Sequence, residues 1–195
     1  VVHAFERDPK RENMLRKQMR KFGCGETVQV HLGDFMTSAA VVDNSAVTHI
    51  LVDPSCSGSG IISQSGIVGE EEEEIGGEVK ALADEQTKLV LNAMSFPNVE
   101  VVVYSTCSVH REENEDVVER VLAGCKGKFV LAPCLPKWPY RGLASTGELG
   151  KMCVRASLEH GTTNGFFVAR FEKVGTQASG VKASVGVQGA RPMGK

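Results

Sequence analysis

Val101-Val102-Val103-Tyr104-Ser105-Thr106-Cys107-Ser108, followed by Val109-His110-Arg111-Glu112-Glu113-Asn114-Glu115-Asp116, is the stretch that decides the fold. Three β-branched residues and a tyrosine read as a short buried strand. The run breaks into small polar residues carrying one thiol, Cys107, just past the strand's carboxyl end. A helix is expected next, with Glu112, Glu113, Glu115 and Asp116 crowding a first turn where acids suit the helix dipole. In open α/β sheets, ligands sit in the crevice at the carboxyl ends of the strands, so Cys107 stands where chemistry is done. The competing reading is a buried small hydrophobe, the ordinary fate of a free cysteine.

Outward from that stretch the chain alternates. Val1 to Phe5 reads as a strand, followed by Glu6, Arg7 and Asp8, with Asp8 and Pro9 suited to cap and start a helix that runs to about Phe22. Met14, Leu15, Met19 and Phe22 supply that helix's apolar spacing. Thr27 to Leu32 is a second strand ending in Gly33-Asp34-Phe35, and a short helix is expected within Met36 to Asn44. Thr48 to Val52 is a third strand, apolar enough to be buried on both faces. It ends in Asp53-Pro54-Ser55-Cys56-Ser57-Gly58-Ser59-Gly60. Residues 61–77 read as an acidic flexible loop, and Glu78 to Met94 as a helix. After the opening strand and its helix come a strand at Lys128 to Ala132, a proline-rich turn, a short strand within Lys151 to Arg155, and a last strand at Gly165 to Lys173. From Gly175 on, unpatterned Gly, Ala, Ser, Val and Gln read as a disordered tail. The expected division is therefore residues 1–174 as one catalytic-domain portion and 175–195 as tail.

Composition supports one globular domain: 195 residues, 42% hydrophobic and 24% charged. A net charge of −2 gives no bulk electrostatic argument for nucleic acid. No apolar run approaches a membrane span. Six cysteines without CxxC spacing favour reduced thiols over disulfides or a zinc site. The opening Val1-Val2-His3-Ala4-Phe5 reads like the interior of a domain, so an upstream portion is expected.

Acids follow three strands: Glu6, Asp34 and Asp53. In a doubly wound sheet these ends converge on one crevice, and an acid after the second strand grips ribose hydroxyls. If the strands before Cys56 and Cys107 are neighbours, two thiols and Asp53 line one cleft. A thiol at a strand end beside a helix amino terminus is expected to ionise more easily, and the thiolate is the nucleophile. Two thiols suit covalent catalysis with a later elimination; they also suit a redox pair, though such pairs usually sit two residues apart in one turn.

At these residues the sequence resembles a family. LVDPSCSGSG, then VVYSTCSVHREENEDVV, then NGFFVARFEK look like the Nop/Sun RNA cytosine-5 methyltransferases, and most like their large-subunit ribosomal RNA branch. The resemblance implies a Rossmann-like class I S-adenosylmethionine-dependent methyltransferase fold, mostly parallel with an antiparallel last strand. It implies that Cys107 attacks carbon 6 of a cytosine, that Cys56 helps remove the carbon 5 proton, and that Asp53 contacts ring nitrogen 3 near the cofactor. Glu6 matches the acid on the adenosine ribose, Arg11 a bracing base, and Asp34 the acid beside the adenine. The family's proline-glycine-lysine loop would lie before Val1, and the run at Gly58 to Gly60 is no substitute for it. RNA is the implied partner, with neither metal nor membrane, and the nucleus, at the nucleolus, the implied place of work. The target base must be flipped or single-stranded to enter such a cleft; Trp138, Tyr140 and Phe166 are candidates to stack on bases, although core packing is the commoner use of each, and Arg155 and Arg170 are candidates to touch phosphates, with a solvated surface as the equal alternative. Two rivals stay open. One is a non-catalytic or RNA-binding remnant of such an enzyme. The other is an amino-methyltransferase, whose Pro-Pro-Tyr turn is here replaced by Pro54-Ser55-Cys56.

Overall fold

Strand β4, Val101–Thr106, is laid down where the opening stretch predicts it, and everything that positions the site is arranged about it. The structure is a computed structural model describing residues 1–61, 72–157 and 163–175, with backbone alone for 38–40 and 72–75. Strand β3 (His49–Val52) pairs with β4 in parallel, Val52 opposite Tyr104. On the other side β4 pairs antiparallel with β7 (Phe166–Lys173), which in turn pairs with β5 (Phe129–Ala132) and β6 (Val154–Ala156). A separate parallel pair, β1 (Val2–Glu6) and β2 (Val28–Leu32), forms a second small sheet. The α/β arrangement and the antiparallel last strand agree with the expectation from sequence, but among the described residues the pairing is mixed rather than mostly parallel, because β7 pairs antiparallel with each of β4, β5 and β6.

Helices α2 (Glu72–Met94) and α3 (Glu115–Gly124) cover one face of the larger sheet. Val90, Val102, Tyr104, Val117, Val118, Val121, Phe167 and Phe171 are fully buried there. Burying each such side chain contributes about 1.5–3 kcal/mol before entropy is counted. Helix α1 (Pro9–Lys21) is capped as predicted: the Asp8 side chain accepts from the N–H groups of Lys10 and Arg11, and Pro9 occupies the first turn.

Several expectations are corrected. The stripe on α1 is largely uncovered, with Met14 59% and Phe22 69% exposed, and the one buried residue of that helix is Glu12. The third strand is not buried on both faces. β3 is an edge strand among the described residues, and its Leu51 is 68% exposed. Helix α2 begins at Glu72 rather than Glu78, so the loop expected over 61–77 is helical from 72 onward. Acids favour a helix start, and the Gly76-Gly77 pair, which reads as a break, is accommodated inside the helix. Residues 62–71 of that loop, and 176–195 of the expected tail, lie outside the described residues. The helix after β4 begins at Glu115, so Glu112 and Glu113 belong to the turn before it. In the proline-rich region, α4 (Glu148–Met152) takes up the start of the segment expected as a strand, leaving Val154–Ala156 for β6.

Candidate active site

Because β3 and β4 are parallel neighbours, the loops leaving their carboxyl ends lie side by side. That register brings Cys56 Sγ to 3.0 Å from Cys107 Sγ across 51 residues of sequence. Both thiols are half-buried and free of disulfides. Asp53, first residue after β3, accepts a hydrogen bond at Oδ1 from Ser105 Oγ of β4 at 2.9 Å. The cleft of two thiols and one carboxylate expected from the sequence is therefore assembled.

The expected ease of ionisation is reversed. Burial pushes the Cys107 thiol up to about 11; the hydrogen bond with Cys56, the charge of Cys56 and the Asp53 carboxylate add to it. Without substrate the nucleophile candidate rests as a thiol.

Between β1 and β3 opens a cavity of about 820 Å³, lined among others by Glu6, Arg11, Asp34, Phe35, Asp53 and Pro54. The acids predicted to converge do converge. Glu6 accepts from the Asp8 N–H at 3.0 Å and pairs with Arg11 Nη2 at 2.9 Å. Asp34 accepts from the Met36 N–H at 2.8 Å. The volume is that of a small-molecule site. Carboxylates at strand ends suit the hydroxyl and amino donors of a nucleoside, so these residues fit an adenosine-bearing cofactor. Among the described residues no group of three metal-ligating side chains occurs, and no helix is long and apolar enough to cross a membrane.

Trp138, Tyr140, Arg155 and Arg170 are engaged within the chain. Trp138 Nε1 donates to the Arg155 carbonyl at 2.9 Å, and its ring meets Tyr140 edge-on. Arg155 forks onto Glu115 at 2.8 and 2.6 Å and donates to the Val109 carbonyl. Arg170 pairs with Glu172 and reaches the Pro133 carbonyl. Phe166 is 40% exposed at the start of β7.

What sequence reasoning missed is the acidic turn itself. Glu113, Asn114 and Glu115 are each completely buried. Glu113 accepts from the Ser57 N–H (3.0 Å), the Ser57 hydroxyl (2.6 Å) and Gln86 Nε2 (2.8 Å). Gln86 Nε2 donates its other proton to the Ser55 carbonyl at 3.0 Å, and its Oε1 lies 3.0 Å from the Tyr104 hydroxyl. Asn114 accepts from Thr106 Oγ1 at 2.6 Å and donates to the Ser108 carbonyl at 2.9 Å. Burial pushes the Glu115 carboxyl up, but the Arg155 hydrogen bonds, the Leu143 N–H and the Arg155 charge outweigh it and hold it below its usual value. The glycine run also has a use: Gly60 N–H donates to the Cys107 carbonyl at 2.9 Å. The signal available beforehand was a polar run, Glu112 to Asp116, between Cys107 and the apolar stretch of the next helix, indistinguishable in one sequence from a solvated turn.

Comparison with known proteins places this geometry in a lineage. The family model for 16S rRNA methyltransferase RsmB/F matches residues 1–172. The 28S rRNA (cytosine-C(5))-methyltransferase of Mus musculus is 42% identical over 175 residues, covering 88% of this chain and 37% of its own length. The 25S rRNA (cytosine-C(5))-methyltransferase rcm1 of Schizosaccharomyces pombe is 38% identical over 179 residues, covering 86% of this chain and 38% of its own. The chain thus spans somewhat over a third of the length of these curated relatives. Among solved structures, NSun6 from Pyrococcus horikoshii with SFG superposes with a TM-score of 0.68 at 21% identity, over 89% of this chain and 41% of that one. That likeness shows a shared fold, and a methyltransferase homolog protein from the same organism repeats it at a TM-score of 0.66, covering 89% of this chain and 53% of its own. With a match that reaches from β1 into β7, the chain belongs to the RsmB/F rRNA methyltransferase family.

Proposed function

We propose that this chain carries the catalytic centre of an S-adenosylmethionine-dependent RNA cytosine-5 methyltransferase acting on large-subunit ribosomal RNA. The observation that carries the reading is the pair of sulfurs 3.0 Å apart, delivered from two strand ends beside Asp53 at the edge of the cavity. The names of the rRNA-modifying relatives support the substrate class and, with it, work in the nucleus at the nucleolus. On this reading residues 1–174 are the catalytic portion and 175–195 a tail.

Glu6, Arg11, Asp34 and Asp53 would hold S-adenosylmethionine, which supplies an electrophilic methyl group when bound. The chain's own residues do the rest. The Asp53 carboxylate takes the Cys107 proton, Cys107 bonds to carbon 6 of the cytosine, and Asp53 hands that proton to ring nitrogen 3 as charge moves onto the ring. Conjugation is then broken and carbon 5 is nucleophilic enough to accept the methyl. Cys56, having given its own proton to solvent, removes the carbon 5 proton as a thiolate. The electron pair of that C–H bond restores the ring double bond, the Cys107–carbon bond breaks, and nitrogen 3 returns its proton to Asp53.

Cys56→Ala in the full-length protein should accumulate a denaturant-resistant protein–RNA adduct, because release fails. Cys107→Ala should give neither adduct nor methylation. Methylation by Cys107→Ala on a large-subunit ribosomal RNA transcript would overturn the assignment.

A further inference from the structure

Three consecutive polar residues with no exposed surface, Glu113-Asn114-Glu115, are costly unless each is fully partnered. Their partners are not scattered. The Glu113 side chain reaches the loop that carries Cys56 and its buttress: Ser57 by backbone and hydroxyl, and Gln86, which holds Ser55; its backbone carbonyl, which a side-chain substitution leaves in place, accepts from the Tyr104 hydroxyl. The residues on both sides of Cys56 are thereby fixed. Asn114 reaches only the turn that carries Cys107: Thr106 by side chain, Ser108 by carbonyl. The residues on both sides of Cys107 are thereby fixed. Asn114 also occupies the position before α3 where an asparagine ordinarily caps the helix, yet its side chain makes no cap hydrogen bond. The side chain serves the Cys107 turn instead.

We infer that Glu113 and Asn114 are a pair of positioning residues that divide the two half-reactions between them: Asn114 sets Cys107 for attack, and Glu113 sets Cys56 for release. Neither touches the reacting atoms. Each acts through the cysteine it flanks, and their adjacency in the chain holds the two loops in one register, sulfur to sulfur. The inference rests on the proposed cysteine roles, and its test separates the two.

The test measures adduct formation and adduct release separately in the full-length protein, using a large-subunit ribosomal RNA transcript and denaturing gels. Cys56→Ala and Cys107→Ala serve as controls. Glu113→Ala is expected to form adduct within about threefold of the parent rate and to release it at least tenfold more slowly, so that adduct accumulates. Asn114→Ala is expected to form adduct at least tenfold more slowly and to accumulate none. In Cys56→Ala, adding Glu113→Ala should slow release no further, since Glu113 works only through Cys56. Glu113→Gln keeps an acceptor for the Ser57 N–H and should restore most of the release rate. Thermal melts establish that each variant is folded. If an alanine variant is unfolded, Glu113→Gln and Asn114→Asp carry the test: the aspartate keeps the acceptor for Thr106 but loses the donor to Ser108, so formation alone should slow. Equal slowing of both steps by Glu113 and Asn114 variants, or additive slowing in the double variant, overturns the division of labour. Adduct formed by Cys107→Ala overturns the underlying cysteine assignment instead, which keeps the two failures distinct.

Discussion

Removing the Cys56 thiol should make Cys107 more reactive, and the size of the effect follows from what surrounds the sulfur. Cys107 is pushed from an ordinary 9.0 to about 11, first by burial and then by the Cys56 hydrogen bond and charge. Thiolate is the reactive form, so reactivity rises with pH. At pH 7.5 the shift leaves about a hundredfold fewer thiolates than an ordinary thiol. Each remaining thiolate is about tenfold more nucleophilic, given a Brønsted slope of about 0.4–0.5, so alkylation should run about tenfold slower than in denatured protein. Cys56→Ala removes the neighbour's contributions but not the burial. A fall of about one pH unit in the Cys107 midpoint would give tenfold more thiolate and, after the same correction, about threefold faster alkylation. The assay is iodoacetamide labelling of the Cys107 peptide by mass spectrometry between pH 7 and 9.5. The parent should climb log-linearly across that range, whereas a thiol titrating at 9.0 bends over inside it. A plateau near pH 9 in the parent, or unchanged labelling in Cys56→Ala, would refute the reasoning.

Two further substitutions probe the frame around the site. In Gly60→Ala the new methyl would lie 2.5 Å from the Gly165 carbonyl oxygen and 2.8 Å from that of Cys107, both backbone atoms. Overpacking of that kind costs about 1–3 kcal/mol, and here it also displaces the Cys107 turn; adduct formation should fall more than tenfold while the melting temperature drops by a few degrees. Arg155→Met strips the fork from Glu115, leaving a buried carboxylate unpaired, and should destabilise by about 3–5 kcal/mol at pH 7 in urea titrations. The sign with pH is fixed. The Glu115 carboxyl is held below its usual 4.5, so its pairing contributes in full above that pH and is lost as pH falls through the lower folded value. In the variant, burial without a partner favours the protonated form, so the stability gap between parent and Arg155→Met should narrow between pH 7 and pH 4. A gap that widens with acid would sink the assignment of that pair.

The parts of the fold legible in the sequence are those decided locally. β4, β5 and β7 are short apolar runs between breakers, and the Asp8-Pro9 cap announces α1 within two residues. The Gly76-Gly77 pair hid the start of α2, because glycine's local preference against helix is overridden by the longer helix around it. At the site, Cys56, Cys107 and Asp53 were legible because each stands at a strand's carboxyl end. Glu113 and Asn114 were not. Whether a carboxylate is solvated or buried depends on donors that arrive from elsewhere, and those of Glu113 come from Gln86 and Ser57, 27 and 56 residues away. The same holds for Arg155, which reads as a free surface cation until Glu115, 40 residues earlier, is placed against it.

The sulfur–sulfur contact also orders the proposed reaction. Two thiolates 3.0 Å apart repel strongly in a half-buried cleft, so the pair carries one negative charge at a time. While Cys107 is the attacking thiolate, the pair's charge is on Cys107 and the second sulfur is a poor base. Once Cys107 is bonded to carbon 6 it is a neutral thioether, and Cys56 can give up its own proton to solvent without facing a second thiolate. The base thus becomes competent only after the nucleophile has been committed, which keeps the carbon 5 proton in place until there is an adduct to resolve. When that proton is taken, the charge returns to Cys107 as the departing thiolate, and the pair again holds one charge. Such coupling needs the two sulfurs held close to their 3.0 Å separation, and that is what two adjacent buried residues, each fastened to one of the loops, are placed to provide.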